Sequence, residues 1–232
     1  MIKTDYIMSK HLFWLASYPK SGNTLTRLII AALFFTKDGV VNIDVGKFIS
    51  NFESTRNLNF IKSKSQSDFR NLDKLEILSK YFLQAQSKTN LYLKEDFGFF
   101  KTHSANIKIF NNPFTLIENL RGYIYIVRDP RDVLISWSKY ANISLEDSID
   151  FIINENSCIN WIQNEESLLN PKIIPKVAVS SWGNHLKSWV NNYNEIPKLI
   201  LRYEDIISQK ETTLIKIIKF FKDNYDISFI NV

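Results

Sequence analysis

The stretch from Phe13 to Ile30, FWLASYPKSGNTLTRLII, constrains the fold more than any other part of the chain. Phe13–Ala16 reads as a short apolar strand, and Ser17–Gly22, punctuated by Pro19 and Gly22, as a tight turn leading into an amphipathic helix. Asn23 or Thr24 is expected to cap that helix. A strand–turn–helix of this kind leaves backbone N–H groups unpaired at one spot, where the helix dipole is positive. Lys20, Ser21 and Thr24 would turn the spot into a cradle for a phosphate-like anion. The competing reading is an ordinary strand-to-helix turn with a solvent-exposed lysine, and a short glycine-containing motif does not separate the two.

The helix is expected to run over Thr24–Phe35, burying Leu25, Leu28, Ile29 and Leu33, and to stop at Lys37-Asp38-Gly39. From Asn42 to about Thr89 no strand alternation stands out. Phe48, Phe52 and the run LDKLEILSKYFLQAQ suggest helices separated by a polar loop at Ser63–Asp68. That segment serves either as a lid or acceptor wall at one end of the sheet, or as packing helices only. Asp96–His103, DFGFFKTH, reads as a short strand ending at Lys101-Thr102-His103. Lys101 and His103, two residues apart, would share one face and reach one reacting group if that face looks toward the first loop.

A second junction sits further along. Gly122–Val127, GYIYIV, reads as a buried central strand ending at Arg128. Asp129 suits the cap of the next helix, Pro130 its first position and Asp132 its first turn, so both carboxylates have a structural explanation. The helix is expected to continue through Ser138. Arg128 and Ser136 have no such explanation. At the carboxyl end of a parallel strand, Arg128 would face the ligand crevice and meet an anionic group, with Ser136 donating a hydrogen bond. Beyond a polar stretch, Ser144–Ile174, the helical spacing of Trp182, His185 and Trp189 reads as a core stripe with a structural histidine. Lys198–Arg202, KLILR, is a further strand that delivers Tyr203, Glu204 and Asp205, and a last amphipathic helix covers about Thr212–Phe221.

Composition excludes several classes. A chain of 232 residues that is 45% apolar and 23% charged can bury the core of one domain. The net charge of +5 suits an anionic ligand but is too diffuse for a nucleic-acid partner. Cys158 is the only cysteine, and His11, His103 and His185 are too scattered to suggest a metal cluster. No window approaches the ~20 apolar residues of a membrane span, and no signal peptide is evident. The expectation is a soluble, cytoplasmic protein with no membrane partner and no metal. Its fold class is expected to be three-layer α/β and P-loop-like, with a mostly parallel central sheet flanked by helices. Its oligomeric state is not legible.

YPKSGNT, KTH, IVRDPRDVLISW and LRYEDI, in that order and spanning about Phe13 to Ile206, resemble the sulfotransferase family, whose sulfuryl donor is 3′-phosphoadenosine 5′-phosphosulfate. The resemblance implies that Lys20, Ser21, Gly22, Asn23 and Thr24 hold the donor's 5′-phosphosulfate, that Arg128 and Ser136 hold its 3′-phosphate, and that Tyr203 lies near the adenine. It makes His103 the catalytic base, Lys101 the lysine of the Lys-Thr-His element, and Lys20 a catalytic cation. Ser21 would hold Lys20 away until the acceptor binds. The acceptor would be a small molecule offering a hydroxyl or, less expectedly, an amine, and its pocket would come from Asn42–Thr89 and Ser144–Ile174. Charge on the leaving phosphate, removal of the acceptor proton and in-line geometry are what such a transfer requires, and a metal ion is not demanded.

Two departures stand out. Leu25 occupies the position where many members carry a tryptophan that stacks on the adenine, and no Arg-Lys-Gly element follows Tyr203. The domain, residues 1–232, is either naturally short or truncated relative to the family, lacking its usual C-terminal segment. Two rivals stay open. One is a P-loop kinase of a small metabolite using ATP and Mg²⁺, although Lys20 precedes the loop glycine, Gly22, and Gly-x-x-x-x-Gly-Lys is absent. The other is a catalytically impaired nucleotide-binding relative.

Overall fold

The computed structural model describes residues 10–160 and 175–227. Its centre is a sheet of five strands: β1 (Leu12–Ser17), β2 (Ser50–Asn51), β3 (Gly98–Thr102), β4 (Leu120–Val127) and β5 (Lys198–Arg202). All neighbours pair in parallel, in the order β2-β3-β1-β4-β5. The helices that matter for the site are α1 (Asn23–Phe35), α2 (Pro130–Ala141), α3 (Leu145–Ile153), α4 (Trp182–Val190), α5 (Tyr203–Ser208) and α6 (Lys210–Tyr225). The expected three-layer α/β architecture with a parallel sheet is therefore present.

The central strand shows why the layers form. All six residues of β1 are buried. Its alternation sends Leu12, Trp14 and Ala16 into one core and Phe13 and Leu15 into the other. The first core is closed by Trp189 of α4 and by Phe52, Leu72 and Phe82 of the 42–89 segment. The second is closed by Ile30 and Ala31 of α1 with Ile217, Phe220 and Phe221 of α6. Trp14 is fully buried among Phe52, Phe100 and Phe114, and truncating such a ring typically costs about 3–5 kcal/mol.

Three local expectations need correction. α1 presses Thr26, Ile30 and Ala31 deepest, while Leu25, Leu28, Ile29 and Leu33 are only half-buried at its flank. Small residues let the helix axis come close to the sheet, so the bulkier aliphatic residues are displaced sideways. The 42–89 segment is not purely helical: Ser50–Asn51 adds an edge strand to β3, too short to show any alternation. The supposed loop at Ser63–Asp68 is taken up largely by two helical turns, Phe60–Lys64 and Gln66–Phe69.

The order β2-β3-β1-β4-β5 sends the chain from β1 to one side and then to the other. Its switch point therefore flanks β1, and ligands of open parallel sheets bind beyond the carboxyl strand ends at such a point. The register brings those ends level: Ala16 faces Thr102, Ser17 faces Ile126, and Val127 faces Arg202. Among the described residues, no helix is long and apolar enough to cross a membrane.

Candidate functional site

A cavity of about 370 Å³ opens at these strand ends. The turn after β1 contributes Lys20, Gly22, Asn23 and Thr24, and the end of β3 contributes Lys101 and His103. Arg128 comes from the end of β4 and Tyr203 from the end of β5, while α2 presents Ser136, Trp137 and Tyr140. Of the residues that the sequence assigned to donor binding or catalysis, the structure brings all but Ser21 onto this cavity wall. Ser21 is fully buried; its N–H donates to Tyr18 O at 3.3 Å, and its Oγ has no hydrogen-bond partner among the described residues.

The turn is built from two left-handed residues, Lys20 at φ 64° and Gly22 at φ 92°. Gly22, rather than Asn23 or Thr24, occupies the cap position of α1, and no side chain among the described residues caps the helix. Asn23 is instead its first residue, and its buried Nδ2 donates to Leu15 O at 3.0 Å and Ser17 Oγ at 3.1 Å, tying the turn to β1. Thr26 N–H makes the first bond back, to Gly22 O at 3.2 Å, so the amides of Asn23, Thr24 and Leu25 precede the helical ladder. An uncapped helix start beside a lysine is the backbone arrangement that an anion satisfies.

The ring of Tyr203 lies on Gly22: a Cβ there would fall 2.3 Å from Tyr203 Cδ2. The Arg128 guanidinium lies 4.4 Å from the centroid of the Tyr203 ring, and its Nη1 donates to Lys20 O at 2.9 Å. The left-handed Lys20 thus turns its carbonyl to Arg128. Glu204 Oε1 accepts from Asp129 N–H at 2.9 Å, joining the ends of β4 and β5, and Asp129 caps α2 as its sequence suggested. The ammonium of Lys20 sits 4.2 Å from the ring centroid of Tyr140, not against Ser21. Burial, and then the charge of Arg128, lower its pKa.

His103 and Lys101 form the opposite wall. The Nδ1 of His103 lies 2.8 Å from Ser17 O, and because a carbonyl only accepts, this assigns the ring proton to Nδ1 and the lone pair to Nε2. Burial, and next the charge of Lys101, hold the imidazole well below its ordinary pKa, against the opposing bond to Ser17. The imidazole is therefore neutral at physiological pH. Lys101 is also buried, which pulls its pKa down to about 8; Glu53 raises it and Arg27 lowers it further. Glu53 also accepts from the hydroxyls of Thr102 and Ser104, on either side of His103.

Glu53, Trp137 and Tyr140 escaped the sequence reading. The two aromatic residues were within reach of it, since Trp137 adjoins Ser136 on the helix and Tyr140 lies four residues on. The 42–89 segment contributes none of the lining residues and packs as core, whereas the Ser144–Ile174 stretch contributes Ile159; residues 161–174 lie outside the described residues. Among the described residues, no cluster of three or more His, Cys, Asp or Glu could hold a metal ion.

Residues 10–226 match the family model described as a sulfotransferase domain. The amine sulfotransferase of Oryctolagus cuniculus is 24% identical over 208 residues, covering 89% of this chain and 54% of that protein. Sulfotransferase 1B1 of Canis lupus familiaris is 32% identical over 112 residues, 48% of this chain and 34% of that protein. The chain thus spans about half the length of the first relative and a third of the second. Among solved structures, mouse sulfotransferase SULT7A1 complexed with PAP aligns at a TM-score of 0.49 with 17% identity, covering 91% of this chain and 58% of that one.

Proposed function

The chain belongs to the sulfotransferase family, and from that membership we propose that it transfers a sulfuryl group from 3′-phosphoadenosine 5′-phosphosulfate to a hydroxyl or amine of a small-molecule acceptor. One observation carries the reading beyond the family: a neutral imidazole and the cationic side chains of Lys20, Lys101 and Arg128 converge on one cavity at an uncapped helix start.

The donor supplies a sulfuryl group on a phosphate leaving group. In this reading the amides of Asn23, Thr24 and Leu25, with Lys20, hold the anionic end of the donor and meet the charge that grows on the leaving oxygen. Arg128 and Ser136 hold the 3′-phosphate, and Tyr203, fixed between Gly22 and Arg128, stands beside the adenine. Leu25 lines a second, largely apolar cavity of about 440 Å³ with Ile29, Leu33, Ile206 and Leu214, so an adenine reaching it would meet an aliphatic wall rather than a tryptophan. Nε2 of His103 takes the acceptor proton, a role that needs the ring neutral before the acceptor arrives. Lys101, with a pKa of about 8, is mostly charged near neutrality and favours negative charge beside the base.

The test is calorimetric titration with adenosine 3′,5′-bisphosphate, in parallel with ATP and Mg²⁺. Metal-independent preference for the bisphosphate is expected. Preference for ATP with Mg²⁺ would replace this reading by a kinase. Tight bisphosphate binding with no sulfuryl transfer to any phenol, alcohol or amine acceptor would favour a binding protein that lacks turnover.

A further inference from the structure

The base His103 lies just past β3, where the backbone has left the sheet and its buried carbonyls need new partners. One helix supplies them. Trp189 Nε1–H of α4 donates to Ser104 O at 3.0 Å, and His185 Nε2 lies 3.2 Å from His103 O. Ser188 Oγ accepts from Asn106 N–H at 3.0 Å, and Asn192, just past the helix, donates to Asn106 O at 3.4 Å. Positions 185, 188, 189 and 192 form one helical stripe. The tryptophan–histidine spacing, legible only as core, is thus also a row of hydrogen bonds along the segment that carries the base.

His185 is the informative member. Its Nε2 faces a carbonyl, so the ring proton sits there, and Nδ1 accepts from Tyr125 O–H at 2.9 Å. His103 has the opposite tautomer, with its proton on Nδ1 toward Ser17 O. The edge of Tyr18 closes the remaining side, its ring centroid 5.4 Å from that of His185. We infer that His185, locked in one tautomer by Tyr125, is a positioning residue that fixes His103 through its main-chain carbonyl, with Trp189 and Ser188 fixing the residues that follow. This assignment rests on the reading of His103 as the base. Burial keeps His185 neutral, pulling its pKa down to about 3, so it acts as a donor of fixed direction and not as a proton carrier.

The experiment is ring-nitrogen NMR of His103 in the full chain, titrated with pH, for His185→Leu and His185→Gln. Among the described residues, the groups acting on His103 include Lys101 from β3, Lys20 from the first loop, His185 from α4, and the carbonyl and hydroxyl of Ser17 from β1. His185→Leu removes the donor, loosens the segment and lets water reach the ring, so the His103 midpoint should rise by about one pH unit toward its ordinary value. Glutamine can donate to the carbonyl and accept from Tyr125, and should restore the parent titration. Unchanged His103 titration in a folded leucine variant overturns the inference, as do equal shifts in both variants. If the leucine variant does not fold, Trp189→Phe, which removes only the donor to Ser104, must move His103 the same way or the inference falls. None of these readouts requires sulfuryl transfer. Failure of the parent to bind adenosine 3′,5′-bisphosphate would count against the proposed function and leave the positioning role to be decided by NMR.

Discussion

Gly22→Ala probes the geometry of the site in one atom. The residue sits at φ 92°, where an L-residue pays roughly 1–2 kcal/mol. The new Cβ would lie 2.3 Å from Tyr203 Cδ2 and 2.7 Å from Cε2, so the ring must move. Leaving a good rotamer costs about 0.5–1.5 kcal/mol. Loss of the contact between Arg128 and the ring, 4.4 Å apart at present, adds about 0.5–1 kcal/mol. The expected destabilisation is therefore on the order of 2–4.5 kcal/mol, which for a chain of this size lowers Tm by roughly 4–18 °C. Because Arg128 and the loop amides lose their alignment together, binding of adenosine 3′,5′-bisphosphate should also weaken by on the order of tenfold or more. Thermal unfolding and calorimetry on the same sample read both effects. A variant with parent-like Tm and affinity would mean that the turn relaxes freely, and the argument that Gly22 is fixed by the tyrosine would fail.

Arg128→Ala should weaken bisphosphate binding and abolish preference for a 3′-phosphate over AMP; equal affinities of mutant and parent in calorimetry would remove Arg128 from the phosphate site. Lys20→Ala should lower turnover by ~10²-fold or more if the ammonium meets transition-state charge, measured with any acceptor the parent accepts, and unchanged turnover would reject that role. Stability should also report the buried histidines. Both His103 and His185 have folded pKa values below the ordinary 6.5, so the unfolded chain binds more protons as pH drops. Their contribution is complete above about pH 6.5 and is lost progressively as pH falls below it, toward about 3 for His185, so Tm should decline across that window. A Tm independent of pH from 7.5 to 5 would contradict the burial of both rings.

The sequence made the strand ends legible because the signals there are local. Apolar runs ending in Pro19 and Gly22, in Arg128-Asp129-Pro130 and in Arg202-Tyr203 mark where strands stop, and a parallel sheet then places those stops side by side. What it hid depends on direction. Asn23 looks like a cap in sequence, but its amide turns inward to Leu15 and Ser17, and the helix start is left open. Leu25, Leu28, Ile29 and Leu33 look like the buried face, yet the smaller Thr26 and Ala31 lie deeper because they permit closer approach. The edge strand Ser50–Asn51 is too short to carry periodicity. The polar ends of His185 and Trp189 meet carbonyls some 80 residues away in sequence, at |i−j| of 82 and 85, which spacing alone could not foretell.

These hidden features share a cause. An uncapped helix start, two left-handed residues in one turn, partly desolvated lysines and a neutral buried imidazole are each unfavourable for a protein that has only to fold. Local rules for capping and burial therefore mispredict the turn, and they fail at the cavity wall. Away from it the same rules succeed: Asp129 caps α2 with its side chain, Ser144 caps α3 and Ser181 caps α4. α5 and α6 also start without a side-chain cap, so the open start of α1 points to a ligand only together with Lys20, Arg128 and the cavity beside it. An anion there would satisfy the loose amides and relieve the repulsion between Lys20 and Arg128 in the same event.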